Sequence, residues 1–227
     1  MELKQLLAET ERAYHAFSVI LPSKVSRESV SNTSKTALKA YLIRAGLLHR
    51  MADLAGGAID LYKQRKDLPA LILTRSFFET FALFNYFIGK LKAAVADGKV
   101  QDTDEILMRL LFGSRDWDDL QAINVLTAID QLDKDVAGVR KWYNDLCEIA
   151  HPNWLGTAGN YGKSGDSPYT LYFESPYKGV PAEFGLKTFK EILGGLPEMD
   201  KSAQDILLKF KALHEQELAG RIASDEH

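Results

Sequence analysis

The stretch from Leu68 to Gly89, LPALILTRSFFETFALFNYFIG, constrains this chain more than any other. Twenty of its twenty-two residues carry no charge, the exceptions being Arg75 and Glu79. A helix that is apolar on every side belongs at the centre of a bundle, covered by neighbours all round. Residues four apart lie one turn apart on the same helical face, so Arg75 and Glu79 are placed to pair. A lone buried charge is costly, and the pair should therefore draw further polar partners from a neighbouring element. The stretch is long enough to span a bilayer, which takes about 20 apolar residues. Two charges near its middle, each costing roughly 2.5 to 3.5 kcal/mol there, argue instead for a helix enclosed by protein and against a membrane role.

The remaining sequence reads as helices around that centre, and the expected fold class is all-α. With 227 residues, 46% of them apolar, the chain has enough material for a sizeable core. Leu3, Leu6, Leu7, Tyr14, Phe17 and Leu21 follow a helical period that Pro22 ends. Ser34 is placed to cap a second helix over about 35 to 66, with Gly56 and Gly57 marking a weak point or a close helix approach. Asp67 reads as the cap of the central helix, with Pro69 in its first turn. The DGKVQDTDE segment after Ala96 closes the central helix. Two short helices follow to Asp135, broken near 113 to 118, and then one over about 136 to 150 that ends at His151-Pro152. Residues 152 to 185 hold four of the seven prolines, six glycines and four tyrosines, and SPYTLYFESP suggests a short hairpin or extended arm. Helical pattern returns at Leu186 and again from Glu198 to Ala219, with a frayed tail over 220–227. No internal repeat or composition break divides the chain, which reads as one helical domain.

Net charge is −3, which supplies no general field for nucleic acid. The single cysteine, Cys147, excludes an internal disulfide and fits a reducing, cytoplasmic setting, and the charged opening MELKQLLAETERAY lacks the pattern of an export signal. No phosphate loop, dinucleotide fingerprint, zinc spacing or nucleophile elbow is present, so no cofactor is expected.

The densest polar cluster beside apolar sequence runs from Tyr143 to Asn153. Tyr143, Cys147 and His151 share one helical stripe. If their helix packs on the central one, Tyr143 and His151 reach Arg75 and Glu79, giving a proton-transfer or anion-binding site. The alternative is an internal polar network that fixes helix register. Glu148 and His151 also form half of a di-iron bundle motif, but only one such pair exists and Glu79 is the sole obvious extra carboxylate on an apolar face, so no metal is expected.

Three pieces, LIRAGLLHR, LILTRSFFETFALFNYF and WYNDLCEIAHPNWLG, together resemble the HEPN-like all-helical superfamily over about residues 35 to 156. An uncharacterised bacterial branch of that superfamily shows an arginine and a glutamate on one helix, with a tyrosine and a histidine before a proline turn. The resemblance assigns those positions to Arg75, Glu79, Tyr143 and His151, with Asn153 just beyond. It implies a homodimeric, metal-independent endoribonuclease, or an RNA- or nucleotide-binding module, in a bacterial defence or toxin setting. HEPN ribonucleases use an arginine and a histidine a few residues apart. Arg44 and His49 have such a spacing, although Ala45 stands where the family prefers a polar residue, and Arg221 and His227 have it too. The second reading of the sequence is a non-catalytic interaction protein, its polar cluster structural and its 152–185 arm meeting a partner or a second subunit.

Overall fold

The computed structural model describes residues 3–100, 103–116, 118–173 and 182–225. The protein is an all-α helical bundle with one short two-stranded hairpin. In chain order the helices are α1 (Leu3–Ser18), α2 (Arg27–Val30), α3 (Lys35–Lys63), α4 (Asp67–Asp97), α5 (Asp104–Phe112), α6 (Val125–Asp135), α7 (Val139–Ala150), α8 (Ala158–Tyr161) and α9 (Ala182–Asp225). Strands β1 (Gly162–Ser164) and β2 (Leu171–Phe173) pair antiparallel between α8 and α9. Among the described residues no helix is long and apolar enough to cross a membrane.

Helix limits follow local chemistry. Ser34 caps α3, its hydroxyl accepting the Ala37 N–H at 2.9 Å. At the other end Lys66 N–H reaches the Leu61 carbonyl and Arg65 N–H that of Tyr62, with Arg65 left-handed at φ 56°. This pair of bonds is a Schellman motif, and it stops α3 without a glycine. Asp67 does not cap the central helix as its position in the sequence suggests. The Ala70 N–H bonds the Lys66 carbonyl, so the first turn already contains Asp67. There its carboxylate faces the positive end of the helix dipole and takes Arg65 at 3.2 Å. Gly98, at φ 65°, ends α4 with the Lys99 N–H on the Ala94 carbonyl.

The largest departure from the sequence pattern is α9. The two expected helical runs are one helix with Pro197 inside it, and it continues to Asp225 where fraying after Ala219 was expected. Proline forfeits one backbone bond. Leu193 and Leu196 just before it, and Asp200 and Ala203 just after it, are fully or almost fully buried, and that packing holds the helix on both sides. Among the described residues of the SPYTLYFESP segment, Leu171–Phe173 is strand, and its partner is the upstream GKS; residues 174–181 lie outside the described part.

The chain forms two compact units. The first comprises Met1–Ile20, Arg50–Thr80 and Asp133–Pro197, and the second Leu21–His49, Phe81–Leu132 and Glu198–His227. In the first, Phe77 stands edge-on to Phe189 at 4.9 Å and Phe78 edge-on to Trp142 at 4.8 Å. The glycine pair of α3 is a place of close approach. A Cβ on Gly56 would stand 3.0 Å from the Tyr14 hydroxyl, and one on Gly57 would stand 3.1 Å from Leu73 Cδ1.

The second unit holds a buried ion pair. Arg44 Nε and Nη2 each meet an Asp200 carboxylate oxygen at 2.6 Å, a two-pronged bond with side-chain exposures of 8% and 1%. Gln204 adds a donor to the same carboxylate at 2.9 Å. Nearby, the Ser34 hydroxyl and His214 Nδ1 are 2.9 Å apart. Ser34 Oγ also accepts the Ala37 N–H, and the direction of its bond with Nδ1 follows the imidazole tautomer. Burial holds His214 below the ordinary histidine range, opposed by Glu217 and Asp104 and helped by Arg221 and Lys39. The native imidazole thus binds a proton more weakly than the unfolded one, so unfolding takes a proton up. This stability is complete above about pH 6.5 and is lost as pH falls below it. Urea midpoints measured across that range should decline toward acid more steeply in the wild type than in His214→Gln.

Candidate functional site

The site predicted from sequence is built by α4 and α7 within the first unit. Tyr143 and Cys147 stand one turn apart on α7, whose apolar residues Leu146 and Ile149 are buried beside them. That face brings the phenol and the thiol against Arg75 and Glu79 of α4. Tyr143 Oη donates to Glu79 Oε1 at 2.7 Å and accepts from Arg75 Nη2 at 3.1 Å. Arg75 Nη2 also meets Glu79 Oε1 at 2.9 Å, closing a three-membered ring of contacts. Arg75 Nε donates to Cys147 Sγ at 3.2 Å, and the guanidinium carbon lies 5.4 Å from the centre of the Tyr143 ring.

The central helix is not enclosed on all sides here. Ile72 is 37% exposed, and the Arg75 and Glu79 side chains are 25% and 24% exposed. Tyr143 and Cys147 cover one side of the pair, and the Ile72–Arg75–Glu79 strip forms an open edge. The fully buried ion pair that the sequence suggested for this helix belongs instead to Arg44 and Asp200.

The electrostatics follow from this half-buried setting. Burial holds the Tyr143 phenol well above its ordinary range, with Arg75 pulling the other way and the Glu79 bond adding to the rise. Burial disfavours the Arg75 cation, but its bonds to Tyr143, Glu79 and Cys147 outweigh that and lift its affinity for the proton. The result is a protonated phenol fixed between a carboxylate and a guanidinium that neutralise each other. Such a ring positions one helix on another. Tyr143→Phe removes two of its hydrogen bonds and should lower the unfolding free energy by about 1 kcal/mol in chemical denaturation.

His151 and Asn153 stand apart from the ring. His151 is the exposed C-cap of α7, at φ −78° and ψ 146°, its N–H on the Cys147 carbonyl. Its backbone is extended because Pro152 follows. Among the described residues no hydrogen bond or ion pair joins its imidazole to Arg75 or Glu79. Asn153 closes the turn after the helix: its Nδ2 donates to Glu148 Oε2 at 2.6 Å and its Oδ1 accepts the Gly156 N–H at 3.0 Å. Glu148 is thereby engaged with a turn, and among the described residues no three His, Cys, Asp or Glu side chains gather as a metal site requires. The spaced pair Arg44 and His49 does not converge either. Arg44 is buried on Asp200, whereas His49 is exposed and bonds the Pro22 carbonyl through Nε2 at 2.9 Å. His227, the spaced partner of Arg221, lies outside the described residues.

Sequence reasoning placed Tyr143 correctly on the stripe facing Arg75 but gave Cys147 no partner. The i, i+4 spacing of Tyr143 and Cys147 carried that information, because any helix face offering one offers the other. The arm is the other prominent feature. Trp154, Leu155, Tyr169, Leu171, Tyr172 and Phe173 are all exposed, Tyr169 to 98%, and every residue of β2 faces solvent. Between 152 and 173 the only charged residues are Lys163 and Asp166.

No family model, curated protein or solved structure matches the chain.

Proposed function

We propose that the protein is a non-catalytic interaction module whose contact surface is the arm over 154–173, engaged by a second copy of the same chain. The observation that carries this reading is the array of six large apolar side chains exposed on one short, nearly uncharged segment. Contiguous exposed apolar surface of that kind marks interaction sites. Two further points support a second copy as the occupant. A lone two-stranded hairpin is marginal in water and gains from added strands. The free edge of β2 also offers itself to an identical edge across a twofold axis, the commonest symmetry of oligomers. The Arg75–Glu79–Tyr143–Cys147 ring then serves to hold α7, from whose end the arm departs, on α4.

Sedimentation velocity on the full chain tests this. The wild type should move from monomer toward dimer as concentration rises, and Tyr172→Ser with Phe173→Ser should remain monomeric. A wild type that stays monomeric throughout would overturn the reading.

A HEPN-like ribonuclease is the second reading, favoured by one observation: the Arg75 guanidinium is a quarter exposed, at the edge of a site that also holds Tyr143. Cleavage of a mixed-sequence RNA by the wild type, lost in Arg75→Ala with folding kept, would establish it. The interaction reading expects the RNA to remain intact. The lack of a basic row in the arm supports that expectation, since phosphate contacts supply most of the affinity for RNA.

A further inference from the structure

The hydrogen-bond ladder of the hairpin fixes which backbone groups of β2 point outward. β1 and β2 pair Gly162 with Phe173, Lys163 with Tyr172 and Ser164 with Leu171. In the same register Gly165 faces Thr170, and its N–H reaches the Thr170 carbonyl at 2.8 Å. Hydrogen-bonded pairs alternate with non-hydrogen-bonded ones along an antiparallel ladder. Lys163 and Tyr172 are therefore a hydrogen-bonded pair, and the pairs on either side of them are not. The N–H and C=O of Tyr172 turn inward to β1. Those of Leu171 and Phe173 turn to the opposite edge, where among the described residues no further strand joins the sheet. The outer edge of β1 differs. There the Gly162 N–H closes α8 on the Ala158 carbonyl, and a Cβ on Gly162 would stand 2.5 Å from that oxygen.

The same alternation sorts the side chains of β2. Leu171 and Phe173 share one face of the hairpin, with Ser164 and Gly162 as their cross-strand neighbours, and Tyr172 with Lys163 takes the other. Leu171 is 40%, Tyr172 55% and Phe173 65% exposed. Gly162 offers Phe173 no side chain to pack on, and Ser164 offers Leu171 a small polar one. Within the hairpin alone, Leu171 and Phe173 thus lack apolar cross-strand partners.

Resting on the reading of the arm as the contact between two copies, we infer that the outward edges of β2 pair antiparallel about a twofold axis at Tyr172. Leu171 of each copy then lies opposite Phe173 of the other. This register uses the outward N–H and C=O groups of both residues in each copy, whereas an axis at Leu171 or at Phe173 uses those of one. A slip by a single residue sets outward groups against inward ones and crosses the two faces. The chosen register also gives Leu171 and Phe173 the apolar cross-strand partners that the hairpin by itself lacks. On the other face the two tyrosines meet at the axis. The two Lys163 residues stand three strand spacings apart, about 14 Å, which exceeds the Debye length of about 8 Å at physiological salt.

Disulfide cross-linking of the full chain tests the register. Cys147 is the single cysteine, and Cys147→Ser keeps an acceptor for Arg75 Nε, so each variant in that background carries one thiol. Tyr172→Cys places the two thiols in a non-hydrogen-bonded pair with Cα atoms about 4.5 Å apart, within disulfide reach. Oxidation with copper–phenanthroline should shift it from monomer to dimer on non-reducing gels. Leu171→Cys alone and Phe173→Cys alone should stay monomeric on the gel, because like residues lie on the diagonal, about 8 Å apart. Mixed with each other, those two variants should cross-link. The three positions are exposed, and circular dichroism verifies the fold. Self-linking of Leu171→Cys or of Phe173→Cys in preference to Tyr172→Cys would overturn the register. A wild type that dimerises in sedimentation while none of the variants cross-links would overturn the edge pairing and leave the contact elsewhere on the arm. A wild type that stays monomeric would overturn both the register and the reading beneath it.

Discussion

Arg44→Ala is expected to lower the unfolding free energy by about 3–5 kcal/mol. The Arg44 and Asp200 side chains are 8% and 1% exposed and share two bonds of 2.6 Å. Truncating the arginine leaves the carboxylate buried with, among the described residues, Gln204 alone to donate to it. An uncompensated buried charge accounts for most of the loss, which is why a matched replacement behaves differently. Arg44→Met together with Asp200→Leu removes both charges and should restore most of the stability in urea titration. A double variant as unstable as Arg44→Ala would mean that the bond itself, and not the stranded charge, carries the effect.

In the first unit, Phe77→Ala should cost about 3–5 kcal/mol. Phe77 is fully buried, and its ring stands edge-on to Phe189, which is also fully buried. Truncation removes the transfer energy of the ring and leaves a cavity bordered by an aromatic that cannot collapse into it. Phe77→Leu fills most of the space and should lose well under half as much. Comparing their urea midpoints separates the cavity from the specific ring contact.

The fold was largely legible because helix periodicity and punctuation are local signals. The limits of α4 follow from Pro69 and from Gly98, and the end of α7 follows from the His151-Pro152 step. Pro197 shows where local rules fail: burial on both sides of it sustains α9 through a residue that by itself reads as a break. Asp67 shows the same failure on a smaller scale, since Lys66, not the residue with the better capping side chain, closes the first turn.

The candidate site was legible in part for a geometric reason. Arg75 with Glu79 and Tyr143 with Cys147 are i, i+4 pairs, and two such pairs on packed helices meet as a unit. His151 continues the α7 stripe by one more turn in sequence, but its backbone has left the helix, so the stripe no longer predicts where its ring goes. The Arg44–Asp200 pair was hidden because its members are 156 residues apart and Asp200 sits in a run that reads as an ordinary amphipathic helix. Long-range pairing of that kind leaves no local trace. The exposure of the arm was equally invisible, since Leu171-Tyr172-Phe173 has the composition of a buried strand and all three residues face solvent.

Under the proposed function the arm is the contact surface and the Arg75 ring has a structural task. Amide hydrogen exchange of the full chain, followed by peptides covering 154–173 and 139–150 at a low and a high protein concentration, tests this most directly. The account predicts exchange of the arm that slows as concentration rises, while the α7 peptides are equally protected at both. Fast exchange of the arm at both concentrations would contradict it.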